Sequence, residues 1–220
     1  MKKMNWQNIC FMNKTMIRSG VKLVVLDISG VLCCKDNGKN TKFGDGLTKI
    51  SCSNYDVYLR PYAKEFVKWC LDNYDVGIYS STTYTNVNNI ISKIFTSEQR
   101  KELKLLWCRD RCELDLDYGK DNSITEYSTV KNLNNIVVNP MINKDRKYTL
   151  KDILAIDDSG EKLRFNDKSN YMLIPSFELK PNCAKDFILE EITFSTELMK
   201  TNIDDKSEIT NQEKHEPKTS

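Results

Sequence analysis

Three polar clusters each stand directly after a short apolar run. Asp27 follows residues 22–26, Ser80 follows Val76-Gly77-Ile78-Tyr79, and the Asp157-Asp158 pair spans the end of the run that begins at Ile153. A buried strand that delivers a polar group at its carboxyl end is how an open α/β sheet presents reactive side chains. Any one cluster also fits a turn or a helix cap; three clusters at three strand ends make a site. Carboxylates without a histidine or cysteine partner suit a hard, oxygen-loving cation. Mg2+ is the natural candidate, held by a few carboxylates, waters and a substrate phosphate. A carboxylate such as Asp27 can also be a nucleophile that forms an aspartyl phosphate. Negative charge grows on the equatorial oxygens of a transferring phosphoryl group, so a lysine and hydroxyl donors should surround it. Ser80 and Lys131 are the suppliers.

Positioning such groups requires alternating strands and helices. The apolar runs at 22–26, 76–79, 103–107, 153–156 and 171–174 predict five strands. Pro61 opens a helix in which Ala63, Phe66, Val67, Cys70 and Leu71 recur at helical spacing. A second helix carries Val87, Ile90, Ile91, Ile94 and Phe95. Residues 130–138 predict a short helix containing Lys131, and 183–200 an amphipathic terminal helix. The glycine-bearing stretch 35–54, followed by Val57-Tyr58-Leu59, predicts a flap or hairpin inserted after the first strand. Residues 109–129, with Arg109, Arg111, Asp115 and Asp117, predict a second inserted loop or hairpin. The expected fold class is α/β: a Rossmann-like parallel sheet covered on both faces, with small inserted flap and cap elements. Residues 1–20 are expected to be an N-terminal arm, 21–200 the folded domain and 201–220 a disordered polar tail.

Composition excludes several classes. Basic and acidic residues number 33 and 31, so no global field points to direct nucleic-acid binding. No window has the 18 or so consecutive apolar residues of a spanning helix. The eight cysteines form no C-x-x-C pair and the one histidine, His215, lies in the polar tail, which argues against a structural zinc site. The cysteines read as reduced core thiols of an intracellular protein. Residues 1–26 are basic and lack acids. That pattern fits a mitochondrial transit peptide, but scarcity of Arg and Ser favours an arm packed on the domain.

The residues from 22 to 177 resemble the NLI-interacting-factor-like domain of the haloacid dehalogenase superfamily, which is found in phosphatases of the RNA polymerase II C-terminal domain. The resembling segments are the Asp27 motif, Leu59-Arg60-Pro61-Tyr62, Val76-Gly77-Ile78-Tyr79-Ser80-Ser81, Lys131, and Ile156-Asp157-Asp158-Ser159 with Lys162 and Leu163. Trp107, Cys108 and Cys112 match one branch in particular. The resemblance implies that Asp27 is nucleophile and metal ligand and that the backbone carbonyl of Ser29 is a second ligand. It further implies that Ser80, Ser81 and Lys131 bind the phosphoryl group, and that Asp158 holds Mg2+ with support from Asp157. A phosphorylated protein or peptide is the implied partner.

The chain departs from that pattern at Ser29, where family phosphatases usually carry a second aspartate that protonates the leaving oxygen and then activates water. A serine hydroxyl is too weak an acid for this near neutral pH. Two expectations follow: a slow Mg2+-dependent phosphoserine/phosphothreonine phosphatase, or a pseudophosphatase that binds a phosphopeptide or partner without useful turnover. The mitochondrial import translocase subunit with this domain is a precedent for the second.

Overall fold

The computed structural model describes residues 16–36, 38, 40–52, 55–115 and 129–212, the last eleven of these as backbone only. The central sheet has five parallel strands: β1 (Leu23–Leu26), β5 (Asp75–Tyr79), β6 (Leu105–Trp107), β9 (Ile153–Asp157) and β10 (Tyr171–Leu173). Their order is β10-β9-β1-β5-β6. The chain therefore leaves β1 in one direction and returns on its other side, which puts a topological switch point at β1, where open α/β sheets bind ligands.

Alternation along the strands divides the core in two, because successive strand side chains face opposite sides. Val24, Leu26, Val76, Ile78, Leu154 and Ile156 share one core with α1 (Ala63–Asn73) and α2 (Tyr84–Ile94). Leu23, Val25, Tyr79, Ile153 and Ala155 share the other with Leu133, Ile136 and Leu163. Both faces are thus covered, which is why the strands read as continuous apolar runs rather than alternating ones.

The stretch after β1 forms a three-stranded antiparallel flap: β2 (Cys33–Lys35), β3 (Lys49–Ser51) and β4 (Asp56–Leu59), in the order β2-β4-β3. The second insertion has the base of a hairpin, β7 (Glu113–Leu114) pairing antiparallel with β8 (Thr129–Val130). Asp117 and the rest of 116–128 lie outside the described residues.

Several sequence expectations need correction. Lys131 is not helical: it lies between β8 and α4 (Asn134–Val138). Its backbone is taken by other segments, its N–H donating to the Lys162 carbonyl (2.7 Å) and its carbonyl accepting from the Asn166 amide (2.7 Å). A further helix, α3 (Ser97–Glu102), precedes β6, closed by a reciprocal Thr96–Gln99 capping box; the sixth strand accordingly starts at Leu105. After the short helix α5 (Gly160–Leu163), the terminal helix α6 (Ile188–Gln212) starts five residues later than its periodicity predicts. Residues Cys183–Lys185 form a 3-10 turn instead, entered through Asn182 at φ 65°. Asp186 accepts from the Ile188 N–H at 3.2 Å where α6 begins. The helical backbone of α6 extends into the polar segment beyond 203, since polar composition removes a buried face without forbidding helical backbone.

Of the expected N-terminal arm, residues 1–15 lie outside the described residues. Ile17 donates to Thr196 on α6, and Arg18 reaches the carbonyls of Ser169 and Ile153. Seven described cysteines are free thiols. Among the described residues, no helix is long and apolar enough to cross a membrane.

Candidate active site

Register brings Asp27 and Asp157 level, with Ser80 one residue further along its own strand. Leu26 pairs with Ile78 on one side and Ile156 on the other, so Asp27, Tyr79 and Asp157 come next in one row. Backbone pairing persists beyond the strand ends: the Asp27 N–H donates to Ile156 O (3.0 Å) and the Ser80 N–H to Trp107 O (2.9 Å). The functional groups are therefore set by the sheet itself rather than by free loops.

Lys131 crosses from its loop into this row. Its ammonium donates to Asp27 Oδ1 at 2.8 Å and to Asp157 Oδ2 at 2.6 Å, and all three side chains are buried. The other oxygen of Asp157 accepts from the Ser159 N–H at 2.9 Å, which fixes the carboxylate plane. Burial pushes the Asp27 carboxyl up to about 6, with Lys131 pulling it down and Asp157 adding to the rise. Burial works to lower Lys131, yet Asp27 and Asp157 hold it above its ordinary value, so it stays protonated.

Asp158 completes a carboxylate cluster: Asp27, Asp157 and Asp158 each present an oxygen within 4.8 Å of the others. Its carboxyl is raised, by burial first, with Ser176 pulling it the other way. Gly30 makes room for it. That residue sits at φ 84°, and a Cβ there would collide with the Asp158 carboxylate. Three carboxylates face one ammonium, which leaves an excess of negative charge suited to a divalent oxygen-seeking cation.

The predicted residues separate in this geometry. Asp27, Lys131, Asp157 and Asp158 come together. Ser80 stands buried at the adjacent strand end, where its hydroxyl accepts from the Thr82 N–H at 3.4 Å. Ser81 is half-buried, and its carbonyl accepts from Arg109 Nε. Ser29 is exposed, although it follows the buried Asp27 by only two residues.

Two residues that support the site carried no assigned role in the sequence. Asn166 holds the Lys131 loop from both sides, its amide donating to Lys131 O and its Oδ1 accepting from the Leu133 N–H. Arg60 is buried with its guanidinium fully engaged. It makes a two-point pair with Asp186 (2.9 Å each) and donates to the carbonyls of Gly30 (3.1 Å) and Pro175 (3.0 Å). It thereby ties the loop after Asp27 to the segment after β10 and to the start of α6. The sequence signal for this is Leu59-Arg60-Pro61-Tyr62, a segment of the family resemblance that names no partner for the arginine.

The family described as NLI interacting factor-like phosphatase matches residues 22–205. An uncharacterized FCP1 homology domain-containing protein of Schizosaccharomyces pombe is 25% identical over 173 residues, covering 76% of this chain and 67% of the relative. The putative CTD phosphatase-like protein 355R of Invertebrate iridescent virus 3 is 22% identical over 193 residues, covering 81% of this chain and 97% of the viral protein. Among solved structures, fission yeast RNA polymerase II CTD phosphatase Fcp1 bound to beryllium fluoride aligns with TM-score 0.45 and 13% identity over 79% of this chain and 45% of that one. A second Fcp1 structure aligns with TM-score 0.43 and 13% identity, over 90% and 56%. This chain thus spans about half the length of those solved chains.

Proposed function

The chain belongs to the NLI interacting factor-like phosphatase family of the haloacid dehalogenase superfamily, and from that premise we propose that it is a slow, Mg2+-dependent phosphoserine/phosphothreonine protein phosphatase. One observation carries the reading: Asp27, Lys131, Asp157 and Asp158 converge at the carboxyl ends of two adjacent parallel strands, next to Ser80. The carboxylates of Asp27 and Asp158 and the backbone carbonyl of Ser29 would hold the cation, with Asp157 behind them. When bound, the cation supplies positive charge to the phosphate oxygens.

The chain's own residues do the rest. An Asp27 carboxylate oxygen attacks phosphorus, the bond to the serine or threonine oxygen breaks, and Asp27 is left as a mixed anhydride. Lys131 and the Ser80–Ser81 turn face the charge that spreads over the equatorial oxygens. The leaving oxygen takes its proton from water, because Ser29 has no proton to offer at neutral pH. Attack of water on the phosphorus then releases inorganic phosphate and restores Asp27. With serine at 29, both proton transfers lack the acid–base group that the family places there, and such a group is typically worth about 10²–10⁴ in rate.

Ser29→Asp is therefore expected to raise turnover of an aryl phosphate by about 10². An unchanged or lower rate, in a protein that melts like wild type, counts against this account of position 29.

Ser29 also favours the second reading, a module that binds phosphopeptides without turning them over. Purified protein assayed on aryl phosphate and on phosphoserine and phosphothreonine peptides, with Mg2+ or with a chelator, separates the two. Mg2+-dependent release of phosphate is the expected result. Peptide binding without release, in wild type and in Ser29→Asp alike, replaces the phosphatase with the binding module.

The pH dependence gives an independent check. With the free Asp27 carboxyl held up to about 6, a cation must displace a proton from it at lower pH. The Mg2+ concentration for half-maximal activity should rise as pH falls from about 7 to about 5 and level off above that range. A requirement that does not change with pH removes Asp27 from the ligand set.

A further inference from the structure

Tyr79 lies one residue before Ser80, yet its side chain serves the opposite side of the site. It ends β5 on the face that holds Leu133 and Ile136, and it is 1% exposed. The edge of one ring meets the face of the other where it packs on Trp107, centroids 5.2 Å apart at 85°. The Lys131 ammonium stands 6.0 Å from the centroid of the Tyr79 ring. The Tyr79 hydroxyl donates to the Arg111 carbonyl at 2.8 Å, which anchors the ring at its far end.

One side chain thus touches three segments. The turn Arg109–Arg111 is itself stitched to the Ser80 turn, by Arg109 N–H to Thr82 O (3.0 Å) and Arg109 Nε to Ser81 O (2.9 Å). The Tyr79 hydroxyl is held by that turn, and its ring stands beside the Lys131 ammonium. A lysine stem has four rotatable carbons and no preferred direction, so an ammonium that must serve two carboxylates and a phosphoryl group needs an external guide. Asn166 and Lys162 fix its backbone; Tyr79 stands beside its head.

We propose that Tyr79 is a positioning residue for Lys131: its ring, anchored through its hydroxyl to the Arg109–Arg111 turn, confines the ammonium over Asp27 and Asp157. The consequence for rate rests on the phosphatase reading above. The placement itself does not.

The test uses Tyr79→Phe, which keeps the ring and removes the hydroxyl, beside Lys131→Met and the double variant. On an aryl phosphate with Mg2+, Tyr79→Phe should lower kcat about tenfold with KM changed less than about twofold, since misplacing a charge-stabilising group acts on the transition state. In the Lys131→Met background the same change should have no further effect. An equal tenfold loss in both backgrounds overturns the proposal, because Tyr79 would then act independently of Lys131.

A second measurement needs no turnover. In metal-free protein labelled with 15N-lysine, the Lys131 ammonium resonance is identified by its loss in Lys131→Met. Wild type should show slow exchange with water, and Tyr79→Phe should speed it several-fold. Unchanged exchange in Tyr79→Phe, or a wild-type signal already broadened by fast exchange, overturns the placement whether or not the protein is a phosphatase. Absence of phosphate release with slowed exchange intact leaves the placement standing and removes only the phosphatase reading.

Discussion

Asp27→Asn is expected to lower Mg2+-dependent turnover of aryl phosphate by at least about 10⁴-fold, the scale on which removal of a covalent nucleophile acts. The carboxamide has neither the charge to attack phosphorus nor the anionic oxygen to hold a cation. The fold should survive the change, because Lys131 keeps its contact with Asp157 at 2.6 Å and so is not left as an unpaired buried charge. Stability should in fact move the other way. Burial raises the Asp27 carboxyl from 3.8 to about 6, so its ionised form is disfavoured in the folded state relative to the unfolded chain. That penalty is absent below about pH 4 and complete above about pH 6. Thermal melts of metal-free protein should therefore show the Asn variant gaining on wild type across this window. Residual turnover within tenfold of wild type would remove Asp27 as nucleophile. A variant that melts below wild type at pH 8 would mean that attraction to Lys131 outweighs the burial.

Arg60→Met should cost about 3 kcal/mol of stability, at the low end of the range for breaking a buried ion pair, because Asp186 is partly exposed and can rehydrate. Methionine replaces the aliphatic stem but none of the donors. The Pro175 carbonyl loses its Arg60 donor at the same time as Asp186 does, and the Gly30 carbonyl keeps only the Phe177 N–H (2.8 Å). Arg60→Lys should recover little of this, since one ammonium cannot reproduce a planar fork that serves a carboxylate and separate carbonyls. Urea denaturation measures both variants, and an Arg60→Met protein within 1 kcal/mol of wild type would assign the site's rigidity elsewhere. Loss of the Gly30 tether should also loosen the loop that makes room for Asp158, so activity should fall with stability rather than independently of it.

Part of this protein was readable in its chain and part was not, and the division follows the range of the interactions. A strand buried on both faces must be apolar over its whole length, so β1, β5 and β9 announced themselves, and so did the polar groups that follow them. The flap was readable because glycines and polar residues between short apolar runs leave few other conformations. The sequence predicts a short helix over 130–138 that contains Lys131. Its backbone N–H instead goes to Lys162, and no local pattern registers a partner that distant in sequence.

The same reason separates the two halves of the site. The sequence by itself determined which chemical groups end three strands: a carboxylate at 27, a hydroxyl at 80 and a carboxylate pair at 157 and 158, with a serine at 29. Those are properties of short segments. Only the tertiary structure decided that Lys131 bridges Asp27 and Asp157, that Gly30 yields its side-chain volume to Asp158, and that Arg60 binds the loop beyond Asp27 to Asp186. Each of these joins groups far apart in the chain. Their distances are fixed by sheet order and register, which arise from the packing of the whole domain rather than from any segment of it.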